Sequence, residues 1–184
     1  CINSYKLNYL YNCVTGCTIL SKKKYIEKIL PLPTYSKALI HDHWIPLMVS
    51  LDGKLAYMPE KYIKYRQHGD NQVGTDKISH HFSKFEQVRN HFINVKLGVF
   101  GTYVKNNNRF PKSIQELNKE ALDYFEMINK KKNFNFKKWN IYHTLYKNET
   151  PYYYISNFII MNLPFLGKVV FKIRYLILKI LKKR

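Results

Sequence analysis

The stretch His41-Asp-His-Trp-Ile-Pro-Leu-Met-Val-Ser-Leu-Asp-Gly53 decides how the first part of the chain folds. Its large apolar residues recur at the spacing of one helix face: Trp44, Leu47, Met48 and Leu51. Gly53 then occupies the position where a glycine commonly ends a helix. The stretch therefore predicts a helix from Asp42 to Leu51 with its apolar face toward a core.

The sequence on both sides of this helix predicts short strands. Val14–Leu20 is apolar and β-branched, which is typical of a buried strand. Lys54–Met58 and Lys61–Arg66 predict two more strands after the helix. A short helix over Ser21–Leu30, capped by its first residue, precedes two prolines. Residues 1–76 therefore read as mixed α/β.

From residue 77 to the end, the apolar period becomes helical. We expect one helix over Ile78–Lys105 and a second that opens on the capping box Ser113-Ile-Gln-Glu116 and runs to Asn129. A third is expected over Trp139–Tyr146 and a fourth over Lys168–Arg184. The predicted organisation is thus an α/β part, 1–76, followed by a mainly α-helical part, 77–184.

The charge of the chain is strongly basic and unevenly distributed. The formal net charge is +19 over 184 residues, of which residues 1–76 carry +4 and residues 77–184 carry +15. Such an excess predicts an anionic partner: nucleic acid, an anionic lipid surface or a phosphorylated substrate. An apolar fraction of 46% argues against disorder, and three cysteines are too few for a disulfide framework.

The last predicted helix is basic and amphipathic. Its apolar residues share one face: Val169, Val170, Ile173, Leu176, Ile177, Ile180 and Leu181. Its opposite face carries Lys168, Lys172, Tyr175, Lys179 and Lys182. This pattern is typical of a helix in a membrane interface over anionic lipid. The alternative is an ordinary helix packed on the domain with solvated lysines.

Three motifs in the first part carry the chemistry of the chain: Thr15-Gly16-Cys17-Thr18, His41-Asp42-His43-Trp44 and Tyr65-Arg66-Gln67-His68-Gly69 followed by Asn71 and Val73-Gly74. Each alone has an ordinary reading, such as a helix-capping aspartate or a solvated histidine. In this order and spacing they closely resemble the acceptor-side half of family 2 glycosyltransferases, in particular bacterial rhamnosyltransferase-like members. The match spans about Asn12 to Gly74, and His43 departs from it where an aromatic residue is common.

The resemblance implies an inverting sugar transfer on a GT-A type, Rossmann-like fold. Asp42 matches the catalytic base that takes the proton of the acceptor hydroxyl. The resemblance places six residues at the substrate: Gly16, Cys17, Thr18, His41, Trp44 and Arg66. His68 would face the diphosphate or its metal, and Trp44 is as well explained by a core role.

The same resemblance implies partners and a cofactor. The partners are a nucleotide-sugar donor and a saccharide or lipid-linked acceptor, and the cofactor is a divalent metal, Mg or Mn. The acidic Asp-x-Asp motif that holds this metal in such enzymes does not occur in the sequence. We therefore expect the donor half to precede Cys1 and the isolated chain to be inactive. From the basic amphipathic helix, we expect the enzyme to lie peripherally on the cytoplasmic face of the plasma membrane.

Two other readings compete with this one. A zinc site could draw on five histidines, His41, His43, His68, His80 and His81, but no cysteine pair has finger spacing. A nucleic-acid-binding module without catalysis would use basic residues interleaved with aromatics, as in Lys130–Trp139. The apolar face of the last helix favours lipid over nucleic acid, so no nucleic-acid partner is expected.

Overall fold

The computed structural model describes residues 5–33, 39–64, 66, 85–130 and 136–181. These residues are mainly α-helical, and none of them belongs to a β-strand. The α-helices in these ranges are α1 (Tyr5–Leu10), α2 (Ile26–Ile29), α3 (His41–Asp52), α4 (Phe85–Lys105), α5 (Lys112–Asn129), α6 (Phe136–Tyr146), α7 (Pro151–Asn162) and α8 (Pro164–Leu181).

The predicted α/β class, and with it the Rossmann-like sheet of a GT-A domain, is wrong for the described residues. Val14–Leu20 does not form a strand but surrounds a 3-10 turn, Gly16–Thr18. The Thr18 backbone N–H and hydroxyl both donate to the Thr15 carbonyl, at 2.9 and 2.7 Å. These donors are therefore satisfied locally, and the side chain of Leu20 is 92% exposed rather than buried.

The segment after α3 also differs from its prediction. Described residues in Lys54–Met58 and Lys61–Arg66 are neither helix nor strand, and Tyr65 falls outside the described residues. The side chains of Tyr57 and Tyr62 are 70% and 72% exposed. A segment with alternating apolar residues forms a strand only when another strand pairs with it. No described residue provides such a strand here.

The periodic helices are confirmed more closely. Helix α3 covers the predicted range and ends at Gly53, whose backbone N–H donates to the Val49 carbonyl at 2.8 Å. Helix α4 continues to Lys105 as predicted, whereas positions 78–84 of its predicted range lie outside the described residues. The predicted helix over Ser21–Leu30 is confirmed in part, because α2 lies within that range. The Ser21 side chain does not cap it.

The remaining helices differ from their predictions mainly at their starts. Helix α5 ends at Asn129 as predicted but begins at Lys112, so Ser113 lies inside its first turn and does not cap it. Helix α6 begins three residues before Trp139, and α8 begins at Pro164 instead of Lys168. Positions 182–184 of the last predicted helix lie outside the described residues.

The chain forms two compact units that are interleaved in sequence. Unit 1 comprises Cys1–Asn71 and Lys96–Leu122. In it, α1 and α2 pack against α3. Its buried apolar side chains come from five helices and two connecting segments: Tyr9, Leu10, Ile29, Leu39, Trp44, Leu47, Met48, Val49, Val99, Phe100, Tyr103, Phe110, Ile114 and Ala121.

Arg109 ties the end of α2 into unit 1. Its guanidinium donates to three carbonyls of that segment: Lys28 at 2.6 Å, Leu30 at 3.0 Å and Pro31 at 2.6 Å. The last carbonyls of a helix have no partner within the helix, so a side-chain donor is needed to satisfy them. Arg109 therefore acts as a long-range cap for α2.

Unit 2 comprises Gln72–Val95 and Asp123–Arg184. Its buried apolar side chains are mostly aromatic or long: Phe85, Ile93, Tyr124, Phe125, Ile128, Ile141, Tyr142, Leu145, Tyr146 and Met161. Helix α7 packs against α8, with Gly167 at the contact. A β-carbon on Gly167 would lie 2.8 Å from the Phe85 ring and 3.0 Å from the Ile160 Cα. Glycine is thus needed for the close approach of α8 to its neighbours.

Candidate functional site

The candidate base, Asp42, is the second residue of α3 and is half-buried in unit 1. Its Oδ1 accepts a hydrogen bond from the Asn12 side-chain amide at 2.7 Å. The amide oxygen of Asn12 in turn accepts the Val14 backbone N–H at 3.1 Å, an Asx turn that fixes the orientation of the amide. The carboxylate of Asp42 is therefore held by a side chain that its own loop has already positioned.

The first two sequence motifs meet in space. A β-carbon on Gly16 would collide with the imidazole of His41, so the ring of His41 lies directly against the Gly16 backbone. His41 immediately precedes Asp42 and is exposed. The Thr15–Thr18 turn therefore lies beside the start of α3, and a side chain at position 16 would require the exposed His41 ring to move.

Trp44 lies beneath this surface and not on it. Its side chain is fully buried, and its indole Nε1 donates to the Ile29 carbonyl at 3.0 Å. The Arg109 guanidinium lies over the indole ring, 4.9 Å from its centroid. The structure therefore places Trp44 in the core, the second of the two roles that the sequence allowed, and a sugar ring cannot reach its face here.

His43, the residue that departs from the family motif, is also buried. Its Nε2 donates to the Asn8 carbonyl at 2.7 Å and lies 3.4 Å from the Tyr103 hydroxyl. The pKa of His43 is lowered to about 4, chiefly by burial and also by nearby Lys96, while the Asn8 bond and the Asp42 carboxylate act in the opposite direction. His43 is therefore a neutral donor that fastens α3 to α1.

The other predicted site residues are less closely grouped. Cys17 and Thr18 are exposed in the turn that carries Gly16. Arg66 is exposed after the 54–64 segment. His68 lies outside the described residues. The structure thus brings together Gly16, His41 and Asp42 of the predicted set.

Sequence reasoning missed the role of Asn12. It lies at the edge of the family match, yet no pattern identified it as the partner of Asp42, thirty residues further along the chain. One local signal was available, because Asn commonly accepts the backbone N–H two residues on. That signal predicts a turn at Asn12 but not what its amide group faces.

The described residues around Asp42 do not form a divalent-metal site of their own. The resemblance places the metal on an Asp-x-Asp motif, which this sequence lacks, and near His68, which lies outside the described residues. In the described ranges, no three His, Cys, Asp or Glu side chains come together in a way that could hold a metal ion. Asp42 has an amide, a hydrogen-bond donor, as its neighbour. No step of the proposed reaction is therefore assigned to a metal bound at these residues.

The arrangement at Asp42 suits proton transfer from a hydroxyl. One carboxylate oxygen accepts the Asn12 amide, while the other makes no hydrogen bond within the described part of the chain. That second oxygen could accept a hydroxyl proton from a bound substrate. The neighbouring His41 is exposed, and so are Cys17 and Thr18 in the turn whose Gly16 lies against the His41 ring.

The chain matches no protein-family model, no curated protein and no solved structure. The resemblance to family 2 glycosyltransferases therefore stays a prediction from the motifs quoted above.

Among the described helices, none combines the length and the apolar character needed to cross a bilayer.

Proposed function

We propose that this chain carries the acceptor side of an inverting glycosyltransferase, with Asp42 as the general base. The observation that supports this most strongly is the meeting of two motifs: the His41 ring lies against Gly16, and Asn12 holds the carboxylate of the adjacent Asp42. The two motifs are far apart in sequence, so their contact gives the resemblance a spatial counterpart.

In the proposed reaction, an acceptor hydroxyl attacks the anomeric carbon of a nucleotide-sugar. The hydroxyl proton passes to the carboxylate oxygen of Asp42 that is not hydrogen-bonded to Asn12, as the new C–O bond forms. The bond to the nucleoside diphosphate breaks on the opposite face, and the leaving oxygen takes the electron pair. Asn12 keeps the carboxylate in place throughout, so its contribution is to orient the base.

The donor site is proposed to be supplied in addition to these 184 residues, because the resemblance covers only the acceptor side. We expect the purified chain alone to release no nucleoside diphosphate from UDP-glucose, UDP-galactose, UDP-N-acetylglucosamine or dTDP-rhamnose. The measurement is a coupled nucleoside diphosphate assay with Mg²⁺ or Mn²⁺ present. Turnover by the chain alone would contradict this division of the enzyme.

Asp42→Asn tests the base in a protein that combines this chain with the proposed donor site. We expect kcat to fall by about a hundredfold or more, because general base catalysis typically contributes at least that factor. KM for the nucleotide-sugar should change little, since Asp42 is assigned to the acceptor.

Asp52→Asn is the matched control for this experiment. It makes the same chemical change at the other end of α3, where Asp52 is exposed and pairs with Lys28. We expect its turnover to match that of the unsubstituted protein. Full turnover in Asp42→Asn would remove Asp42 from the reaction.

The proposal also includes a location and a class of acceptor. The acceptor is a cell-surface saccharide or a lipid-linked saccharide, and transfer occurs at the cytoplasmic face of the plasma membrane. The absence of a membrane-crossing helix in the described residues is compatible with peripheral attachment. The basic α8, which belongs to unit 2, supports attachment to anionic lipid.

A further inference from the structure

Helix α8 presents three different faces over its first ten residues. One face packs within unit 2 through Gly167, and the Phe171 ring meets the Phe85 ring edge to face at a centroid distance of 5.8 Å. A second face carries Lys168 and Lys172, both exposed. The third face, between these two, is apolar and is the one that needs an explanation.

This third face, the apolar strip, consists of Phe165, Leu166, Val169 and Ile173. Their exposed fractions are 83%, 51%, 52% and 52%. Their spacing places them along one side of the helix. An ordinary packed helix would turn such side chains toward its own core, yet here the core contact is made by Gly167 and Phe171. Within the described residues, therefore, the apolar strip remains open to a partner.

The charges beside the apolar strip indicate the chemistry of that partner. Lys168 forms an ion pair with Glu86 at 3.4 Å, while none of the described acidic residues pairs with Lys172. Further along α8 the sequence adds Arg174 and Lys179, and it has no acidic residue after Glu149. A basic edge beside an apolar strip complements a surface that is anionic at its headgroups and apolar just beneath them.

We propose that the apolar strip is a docking site for an anionic lipid membrane, with α8 lying in the plane of the interface. Phe165 and Leu166 enter the boundary between headgroups and acyl chains, and Lys172 contacts lipid phosphates. A nucleic acid would satisfy the lysines but would leave the four apolar side chains in water, so lipid fits the surface better. This inference deepens the membrane location given in the proposed function. It rests on the proposed function only for the identity of the membrane.

The test is flotation of the full 184-residue chain with vesicles of phosphatidylcholine and phosphatidylserine at 70:30, compared with phosphatidylcholine alone. We expect binding to the anionic vesicles and a marked loss of binding in high salt. Val169→Asp and Ile173→Asp should each weaken the binding by about tenfold or more. Each removes an aliphatic side chain that the membrane would bury and adds a negative charge that the anionic lipid repels. Lys172→Glu should weaken it by about tenfold.

Matched controls are available in unit 1. Leu20→Asp replaces an aliphatic side chain that is 92% exposed, and Lys54→Glu reverses the charge of an exposed lysine. Both should bind vesicles within about twofold of the unsubstituted chain, because the net charge changes equally but the apolar strip is intact. Circular dichroism on every variant shows whether a loss of binding comes from the changed strip or from unfolding. Two independent strip variants are used so that misfolding of one still leaves a test.

Three results would overturn the inference. These are failure of the folded chain to bind anionic vesicles, equal losses in Val169→Asp and Leu20→Asp, and tight binding of RNA or DNA at physiological salt by a chain that ignores vesicles. Asp42→Asn should bind vesicles normally. A loss of sugar transfer in that variant and a loss of vesicle binding in the strip variants therefore report on the two proposals separately.

Discussion

Trp44→Ala is expected to lower the free energy of unfolding of unit 1 by about 3–5 kcal/mol. The indole is fully buried, and the substitution leaves a cavity beneath α3. It also removes the donor to the Ile29 carbonyl and the ring that stacks under Arg109. Urea unfolding followed by circular dichroism measures the change.

Tyr57→Ala is the control for this substitution, because it removes an aromatic side chain that is 70% exposed. It should change the free energy of unfolding by less than about 1 kcal/mol. A loss of similar size in the two variants would mean that Trp44 is not a core residue, and the sugar-contact role predicted by the resemblance would regain support.

Lowering the pH from about 6.5 to about 4 is expected to cost unit 1 roughly 3 kcal/mol through His43 alone. The pKa of His43 is lowered from 6.5 to about 4 in the folded state, chiefly by burial. In that pH window the unfolded chain binds a proton that the folded chain does not, so stability falls as the pH falls. Above about pH 6.5 the histidine is neutral in both states, and this contribution is fully present.

His43→Gln isolates this effect. Glutamine retains an N–H donor for the Asn8 carbonyl but does not titrate, so the dependence of stability on pH between 4 and 6.5 should become shallower by about the same 3 kcal/mol. If His43→Gln and the unsubstituted chain show the same slope, His43 is not the titrating group.

Helices were predictable from the sequence where local apolar spacing was sufficient. In α3, three of the four residues that define the predicted face, Trp44, Leu47 and Met48, are fully buried, and the fourth, Leu51, is half-buried. Helix starts were less accurate, because Ser113 has the composition of a cap but α5 already begins at Lys112. A start depends on which backbone donors find partners, and the Ile114 and Gln115 N–H groups both reach the Pro111 carbonyl.

The strands could not be predicted reliably, because a strand is defined by its neighbour. Val14–Leu20 has the composition of a strand, but its Thr18 donors are satisfied by Thr15 within the same turn. Composition describes only one side of a pairing, and the other side depends on which residues are present to pair.

The candidate site was predictable in part. Asp42 and His41 follow from a contiguous motif, and their position at the start of a helix follows from the apolar period after them. The Asn12 bond and the contact of His41 with Gly16 join segments that are distant in sequence. No pattern in either segment indicates its contact with the other. The sequence therefore predicts which residues belong to the site but not which of them are in contact.

The Arg109 cap of α2 has a consequence for the order of events during synthesis on the ribosome. Arg109 follows the three carbonyls that it binds by 78 to 81 residues. The N-terminal helices must therefore wait, incompletely packed and with Trp44 uncovered by Arg109, while a long intervening stretch is translated. Such delayed closure favours slow folding and exposes apolar surface to chaperones, so a nascent chain stalled before residue 109 should be more protease-sensitive in unit 1 than the released protein.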